Sequence, residues 1–107
     1  MRTALLLCLA LAGASSHAAD ADLAAAANLA KSSDCFSCHS ATEKIVGPAF
    51  SSIAAKYAGD KDAVATLSQS IQMGSTGKWG RAAMPAHSAL KDQDLKLLAT
   101  WVLATKP

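Results

Sequence analysis

The chain has 107 residues, which is enough for one small domain. Its net charge is only +2 and it contains no basic run, so nothing in the composition indicates nucleic-acid binding. Beyond residue 18 no stretch is long and apolar enough to span a bilayer, and we therefore predict no membrane insertion.

The N-terminus has the pattern of a secretory signal peptide. Arg2 supplies a positive charge, residues 4–13 form a short apolar run, and small residues follow it. We predict a cleaved signal peptide over residues 1–18, a mature domain over residues 19–107 and export to the periplasm. Cleavage would remove one of the 10 basic residues and none of the 8 acidic ones, leaving a net charge of +1.

Apolar residues recur at helical spacing in four segments, which predicts an all-α fold of about four helices joined by long loops. The first helix is alanine-rich and begins at Asp22 as N-cap, with residues 19–21 loose in front of it. The predicted buried stripes are Leu23, Ala26, Ala27 and Ala30; Phe50, Ile53, Ala54 and Tyr57; Val64, Leu67, Ser68 and Ile71; and Leu95, Leu98, Ala99 and Val102.

Capping residues and glycines set the bounds of the other three helices. The second is predicted over residues 49–58. The third follows an aspartate cap, Asp60 or Asp62, and ends at Gly74. The fourth is predicted over residues 92–106.

The segment Cys35-Phe36-Ser37-Cys38-His39 reads C-x-x-C-H, which is the attachment signature for c-type haem. Two cysteine sulfurs add to the two vinyl groups of one porphyrin, so the thiols must lie one short turn apart. The next residue, His39, is then carried beneath the ring, where its imidazole can bind the iron. We predict one haem c attached through Cys35 and Cys38.

Three other interpretations of the motif remain open. A zinc site needs four ligands, and the mature chain offers only His87 as a further histidine or cysteine. A thioredoxin-like dithiol accompanies a βαβ pattern, and this sequence predicts no strand. The third alternative is a helical binding module without haem, in which Cys35 and Cys38 form a disulfide.

A haem that only passes electrons needs a second axial ligand, and histidine with methionine is a known c-type pair. Met84 lies in a glycine-containing loop over residues 75–87, directly before Pro85, which restricts the backbone there. Met73 lies instead on the third helix, where a packing methionine is expected. We therefore predict His39 and Met84 as the iron ligands.

Several further motifs follow the haem signature in a fixed order: Val46-Gly47-Pro48-Ala49-Phe50, Ile53-Ala54-Ala55-Lys56-Tyr57, Gly74-Ser75-x-Gly77-x-Trp79-Gly80, Met84-Pro85 and Trp101-Val102-Leu103. With them, the chain after the leader resembles the small bacterial monohaem class I cytochromes c of the short c-551/c-552 type. The resemblance implies the cytochrome c fold, wrapped around one covalently bound haem.

The resemblance also implies roles for three more residues. In relatives, the proline carbonyl that matches Pro48 accepts a hydrogen bond from the proximal histidine. The tryptophan that matches Trp79 packs beside the haem and can donate to a propionate. The residue that matches Trp101 packs the last helix on the first.

Three parts of the chain depart from the family pattern. Residues 81–83 are Arg-Ala-Ala where relatives often have prolines, which predicts a less rigid loop before Met84. Ser70 aligns with a basic residue that reaches a propionate in some relatives, so Lys78 or Arg81 is a candidate substitute. His87 takes a place where many relatives have asparagine. It is either a solvated loop histidine or a charge that acts on the iron.

The function implied is that of a periplasmic one-electron carrier and not an enzyme, because His39 and Met84 leave substrate no position on the iron. The expected partners are redox proteins such as a nitrite reductase, a terminal oxidase or a sulfite dehydrogenase, with no nucleic acid, and the expected state is a monomer. Two alternatives remain: a cytochrome subunit of a larger oxidoreductase complex, and an enzyme or gas sensor in which Met84 is off the metal.

Overall fold

The computed structural model describes residues 15–107, with side chains from Asp22 onward. The apolar run of the predicted leader and Cys8 lie outside these residues. The described chain forms four α-helices and a 3-10 turn at Cys35–Ser37, with no strand: α1 (Ser15–Ser32), α2 (Phe50–Lys56), α3 (Ala63–Met73) and α4 (Asp92–Leu103). The all-α prediction is confirmed.

The first helix begins earlier than the sequence predicts. Asp22 lies inside α1 and is not its N-cap, and residues 19–21 are helical and not loose. Alanine has the highest helix propensity, so the alanine-rich segment continues the helix past Asp22 toward the N-terminus. The prediction was wrong because an aspartate was treated as a boundary inside a strongly helical run.

The bounds of the other helices are close to those predicted. α2 ends at Lys56 and α4 at Leu103, each a few residues short of prediction. Asp62 is the N-cap of α3, and its backbone N–H donates to the Asp60 carboxylate at 2.8 Å. Both candidate aspartates therefore contribute to this helix start. Gly74 ends α3 with a positive φ of 76°.

Helix α4 is central, because it contacts α1, α2 and α3. Its predicted stripe is confirmed, since all four members are buried: Leu95, Leu98, Ala99 and Val102. Ala26 and Ala30 of α1 are 0% exposed, so small side chains let α1 approach α4 closely. Leu23 was predicted on the same stripe but is exposed. None of the helices in residues 15–107 has the length and hydropathy to cross a membrane.

Candidate functional site

A single cavity brings together the six residues that the sequence singles out. Its walls are formed by the C-x-x-C-H turn, helices α2, α3 and α4, and the loop after α3, and they surround about 1070 Å³ of space including the open mouth. The six residues are Cys35, Cys38, His39, Pro48, Trp79 and Met84.

The two cysteines lie on one short turn. The backbone N–H groups of Cys38 and His39 both donate to the Cys35 carbonyl, at 3.3 and 3.0 Å. Neither cysteine is in a disulfide. Burial raises the pKa of the Cys35 thiol, and the Asp34 carboxylate raises it further. Dithiol redox motifs rely on a lowered thiol pKa, so the environment of Cys35 opposes that alternative.

The His39 ring is held on two sides. Its Nδ1 lies 2.7 Å from the Pro48 carbonyl oxygen, and a carbonyl only accepts, so Nδ1 carries the proton. The ring also stacks on Phe50, with centroids 5.0 Å apart and planes 21° from parallel. The remaining nitrogen, Nε2, therefore keeps its lone pair for a metal, and the hydrogen bond at Nδ1 fixes both tautomer and orientation.

Gly47 leaves room for that ring. A Cβ on Gly47 would lie 2.7 Å from Cε1 of His39 and 3.0 Å from Nδ1. The Gly47 N–H donates to the Cys38 carbonyl at 2.7 Å, so the backbone cannot withdraw without losing this bond. We expect Gly47→Ala to displace the His39 ring, to cost about 1–3 kcal/mol of stability as overpacking does, and to change the haem absorption spectrum.

Thermal melting and visible absorption together test this expectation. Gly59→Ala is the matched control, because Gly59 has a φ of +77° but a Cβ there meets nothing within 4 Å. The control should lose stability through backbone strain alone and keep the wild-type spectrum. A Gly47→Ala protein with wild-type melting and spectrum would show that the close approach to His39 is unimportant.

The loop after α3 brings Met84 into the lining of the same cavity as the C-x-x-C-H turn. Two hydrogen bonds join it to Ser75: the Ser75 N–H donates to the Met84 carbonyl at 3.1 Å, and the Met84 N–H donates to the Ser75 carbonyl at 2.8 Å. Gly74 permits this pairing, since a Cβ there would lie 2.5 Å from the Met84 carbonyl oxygen. The backbone of Met84 is therefore fixed by its neighbours at the base of the loop.

Trp79 lies at the cavity mouth and is 36% exposed. The Lys56 ammonium lies 4.6 Å from the centroid of its ring, which is within cation–π range. This contact connects the loop after α3 to the last turn of α2. Trp79 is therefore a boundary of the cavity and not part of the buried core.

His87 does not belong to the cavity lining. Its backbone N–H donates to the Ile71 carbonyl at 2.9 Å, which closes the loop back onto α3. Its Nδ1 is buried and has no hydrogen-bond partner among the described residues. The His87 ring is thus half-buried, with Nδ1 shielded from water.

The apolar wall of the cavity was not predicted residue by residue. The side chains of the helix stripes were assigned to packing, and several of them also line the site. Trp101 contacts Phe50 and Phe36, with ring centroids 5.1 and 6.0 Å apart. The missed lining residues are Phe50, Ile53, Leu67, Leu98, Trp101 and Val102. One feature of the sequence could have indicated these residues. The chain has few large apolar side chains, so the apolar faces of its helices are not fully covered by other protein side chains.

The donors that line the cavity fit a haem. Two unbridged thiols, an imidazole nitrogen and a thioether sulfur line a largely apolar space, and these are the attachment and axial groups of c-type haems. Zinc would need four ligands. Among the residues that the structure describes, no group of three or more histidine, cysteine, aspartate or glutamate side chains is placed to hold a metal ion.

Comparison with known proteins gives the same result. Residues 23–106 match the family model described as Cytochrome c. The chain is 46% identical to cytochrome c-552 of Nitrosomonas europaea over 80 residues, which are 75% of this chain and 78% of that protein. It is 45% identical to cytochrome c-551 of Pseudomonas aeruginosa over 78 residues, covering 73% of this chain and 74% of that one.

Solved structures agree with this fold. The crystal structure of wild-type Nitrosomonas europaea cytochrome c552 superposes with a TM-score of 0.71 and covers 75% of this chain and 99% of that chain. The class 1 cytochrome MtoD from Sideroxydans lithotrophicus ES-1, 26% identical, superposes with a TM-score of 0.68 and covers 80% and 98%. The chain belongs to the cytochrome c family, as a small monohaem class I member that carries covalent haem c and exchanges electrons with redox partners without being an enzyme.

Proposed function

We propose that this protein is a periplasmic one-electron carrier whose iron is held by His39 and Met84. The observation that supports this is the placement of an imidazole and a thioether in the lining of the same cavity as the two attachment cysteines. Haem supplies a one-electron iron couple when it is bound. The task of the chain is to hold it at a high potential and to leave it no open coordination position.

Each site residue has a distinct part in this proposal. Cys35 and Cys38 form the thioether bonds. His39 binds through Nε2, and its hydrogen bond to Pro48 raises the basicity of the imidazole. Met84 would supply the sulfur ligand to the iron, and a thioether ligand favours the reduced iron, which raises the potential. Trp79 bounds the mouth through which an electron would pass to a reductase, an oxidase or a dehydrogenase.

The proposed location follows from the leader and the cysteines. A positive residue, a short apolar run and small residues over 1–18 are the pattern of a cleaved export signal. An oxidising compartment would otherwise favour a disulfide between Cys35 and Cys38, and haem attachment consumes both thiols. Peptide sequencing of the mature N-terminus checks the cleavage site, which we expect directly after Ala18.

Binding of added carbon monoxide or cyanide distinguishes an electron carrier from an enzyme or gas sensor, whose iron would have an open coordination position. We expect the reduced wild-type protein to keep its absorption spectrum under carbon monoxide, because both axial positions are filled by the protein. We expect the oxidised protein to bind cyanide only slowly, since Met84 must leave first. Immediate and complete carbon monoxide binding by the wild-type protein would favour the open-iron alternative.

A further inference from the structure

A lysine and a serine meet at the rim of the cavity. The Lys78 Nζ donates to the Ser70 hydroxyl oxygen at 3.0 Å. Ser70 lies near the end of α3 and Lys78 in the loop that follows, and both line the cavity. The hydroxyl thus holds a long, exposed side chain over the mouth, where it would otherwise be free to extend into water.

Lys78 is unusual among the lining residues. Of those that the structure describes it is the one ammonium or guanidinium group, and no aspartate or glutamate lines the cavity with it. Arg81 follows in the same loop but does not line the cavity, and Lys56 lies outside it, over the Trp79 ring. An ammonium group held at the edge of an apolar site, without a protein anion beside it, is suited to an anionic part of the ligand.

Haem has two carboxylates on an otherwise apolar ring. We infer that Lys78, held by Ser70, pairs with a haem carboxylate and so orients the cofactor at the cavity mouth. In this pairing Ser70 on α3 supplies the hydroxyl that accepts from Lys78, and Lys78, in the loop after α3, supplies the positive charge. Arg81, the other candidate from the sequence, has no such hydrogen bond among the contacts found in the described residues.

The pairing predicts a specific electrostatic effect. An opposite charge within about 4–6 Å lowers the pKa of a carboxylic acid by roughly 1–3 units, and partial exposure favours the lower end of that range. An ionised carboxylate stabilises the ferric iron, so the midpoint potential falls as pH rises through the pKa of that acid. Without Lys78, this fall should move to higher pH by about one unit, a tenfold change in acid dissociation.

Other titratable groups face the same region and must be separated from this effect. His39 is fixed by Pro48 on one side of the cavity, His87 packs on α3 through the loop, and Lys56 approaches from α2 through Trp79. The nuclear magnetic resonance signals of the haem carboxylate side chains report on the acid itself. Recorded against pH, they distinguish its ionisation from that of any histidine.

The experiment compares Lys78→Gln with Lys96→Gln in the haem-bearing protein. Lys96 is exposed on α4 and does not line the cavity, so its substitution removes the same charge elsewhere. We expect the carboxylate titration to move upward by about one pH unit in Lys78→Gln and to stay in place in Lys96→Gln. Ser70→Ala keeps the Lys78 charge but removes the hydroxyl that positions it, and should shift the carboxylate titration in the same direction by a smaller amount.

A second lysine restores the charge from the other side of the rim. Ser70→Lys in the Lys78→Gln background should return the titration toward the wild-type pH. Equal titrations in Lys78→Gln and Lys96→Gln would overturn the pairing. This inference rests on haem occupying the cavity, which the absorption spectrum of the wild-type protein reports separately. If Lys78→Gln binds haem but its haem carboxylate titrates at the wild-type pH, only the role of Lys78 is contradicted.

Discussion

In Met84→Ala, we expect the iron to lose its sulfur ligand, the midpoint potential to fall and carbon monoxide to bind the reduced protein readily. A thioether favours ferrous iron, and axial ligands set haem potentials over a range of about 0.8 V. Loss of this one ligand should therefore lower the potential by on the order of 0.1 V. Spectroelectrochemistry and carbon monoxide titration measure the two effects.

Met73→Leu is the matched control for this substitution. Met73 lies at the end of α3, is 67% exposed and does not line the cavity. Its sulfur lies 3.8 Å from the side-chain amide of Gln69, a weak contact whose loss should leave both spectrum and potential unchanged. An unaltered spectrum in Met84→Ala, or an altered one in Met73→Leu, would contradict the assignment of the sulfur ligand.

In Cys35→Ala with Cys38→Ala, we expect a largely unfolded protein without haem. Among the side chains that the structure describes, five of the eleven buried apolar residues are alanines, and Leu98 is the largest that is fully buried. At ~25 cal/mol per Å², such small side chains recover too little free energy to offset the entropy of ordering the chain. Helices α2, α3 and α4 also line an open, largely apolar cavity, which would fill with water or collapse without the ring.

Circular dichroism and thermal melting check this result. Ser37→Ala, within the same turn but with both cysteines kept, should attach haem and melt cooperatively. Native-like helical signal and a cooperative transition in the haem-free double variant would contradict the view that haem completes the core.

The helices were predictable because their apolar spacing is local information. The stripe of α4 and the start of α3 are as expected, since Leu95, Leu98 and Val102 recur at helical spacing and Asp62 stands before a periodic segment. The start of α1 was mispredicted because Asp22 has the chemistry of a cap, but the alanines around it favour helix on both sides.

The candidate site was predictable where a short motif contains the chemistry. The turn from Cys35 to His39 is such a motif, and the resemblance supplied Pro48 and Trp79. The contact between Lys78 and Ser70 could not be predicted from the sequence, because it depends on the path of a loop relative to α3. The resemblance left Lys78 and Arg81 as candidates for this charge, and of the two only Lys78 lines the cavity.

Isotope labelling tests the central claim, that Met84 and His39 together hold the iron, most directly. With ¹³C in the methionine methyl groups, the mature reduced protein should show one methyl resonance shifted far upfield, because a ligand methyl lies against the face of the haem ring. That resonance should disappear in Met84→Leu and persist in Met73→Leu. Methionine methyl resonances that all lie at ordinary shifts in the haem-bearing wild-type protein would contradict ligation by Met84.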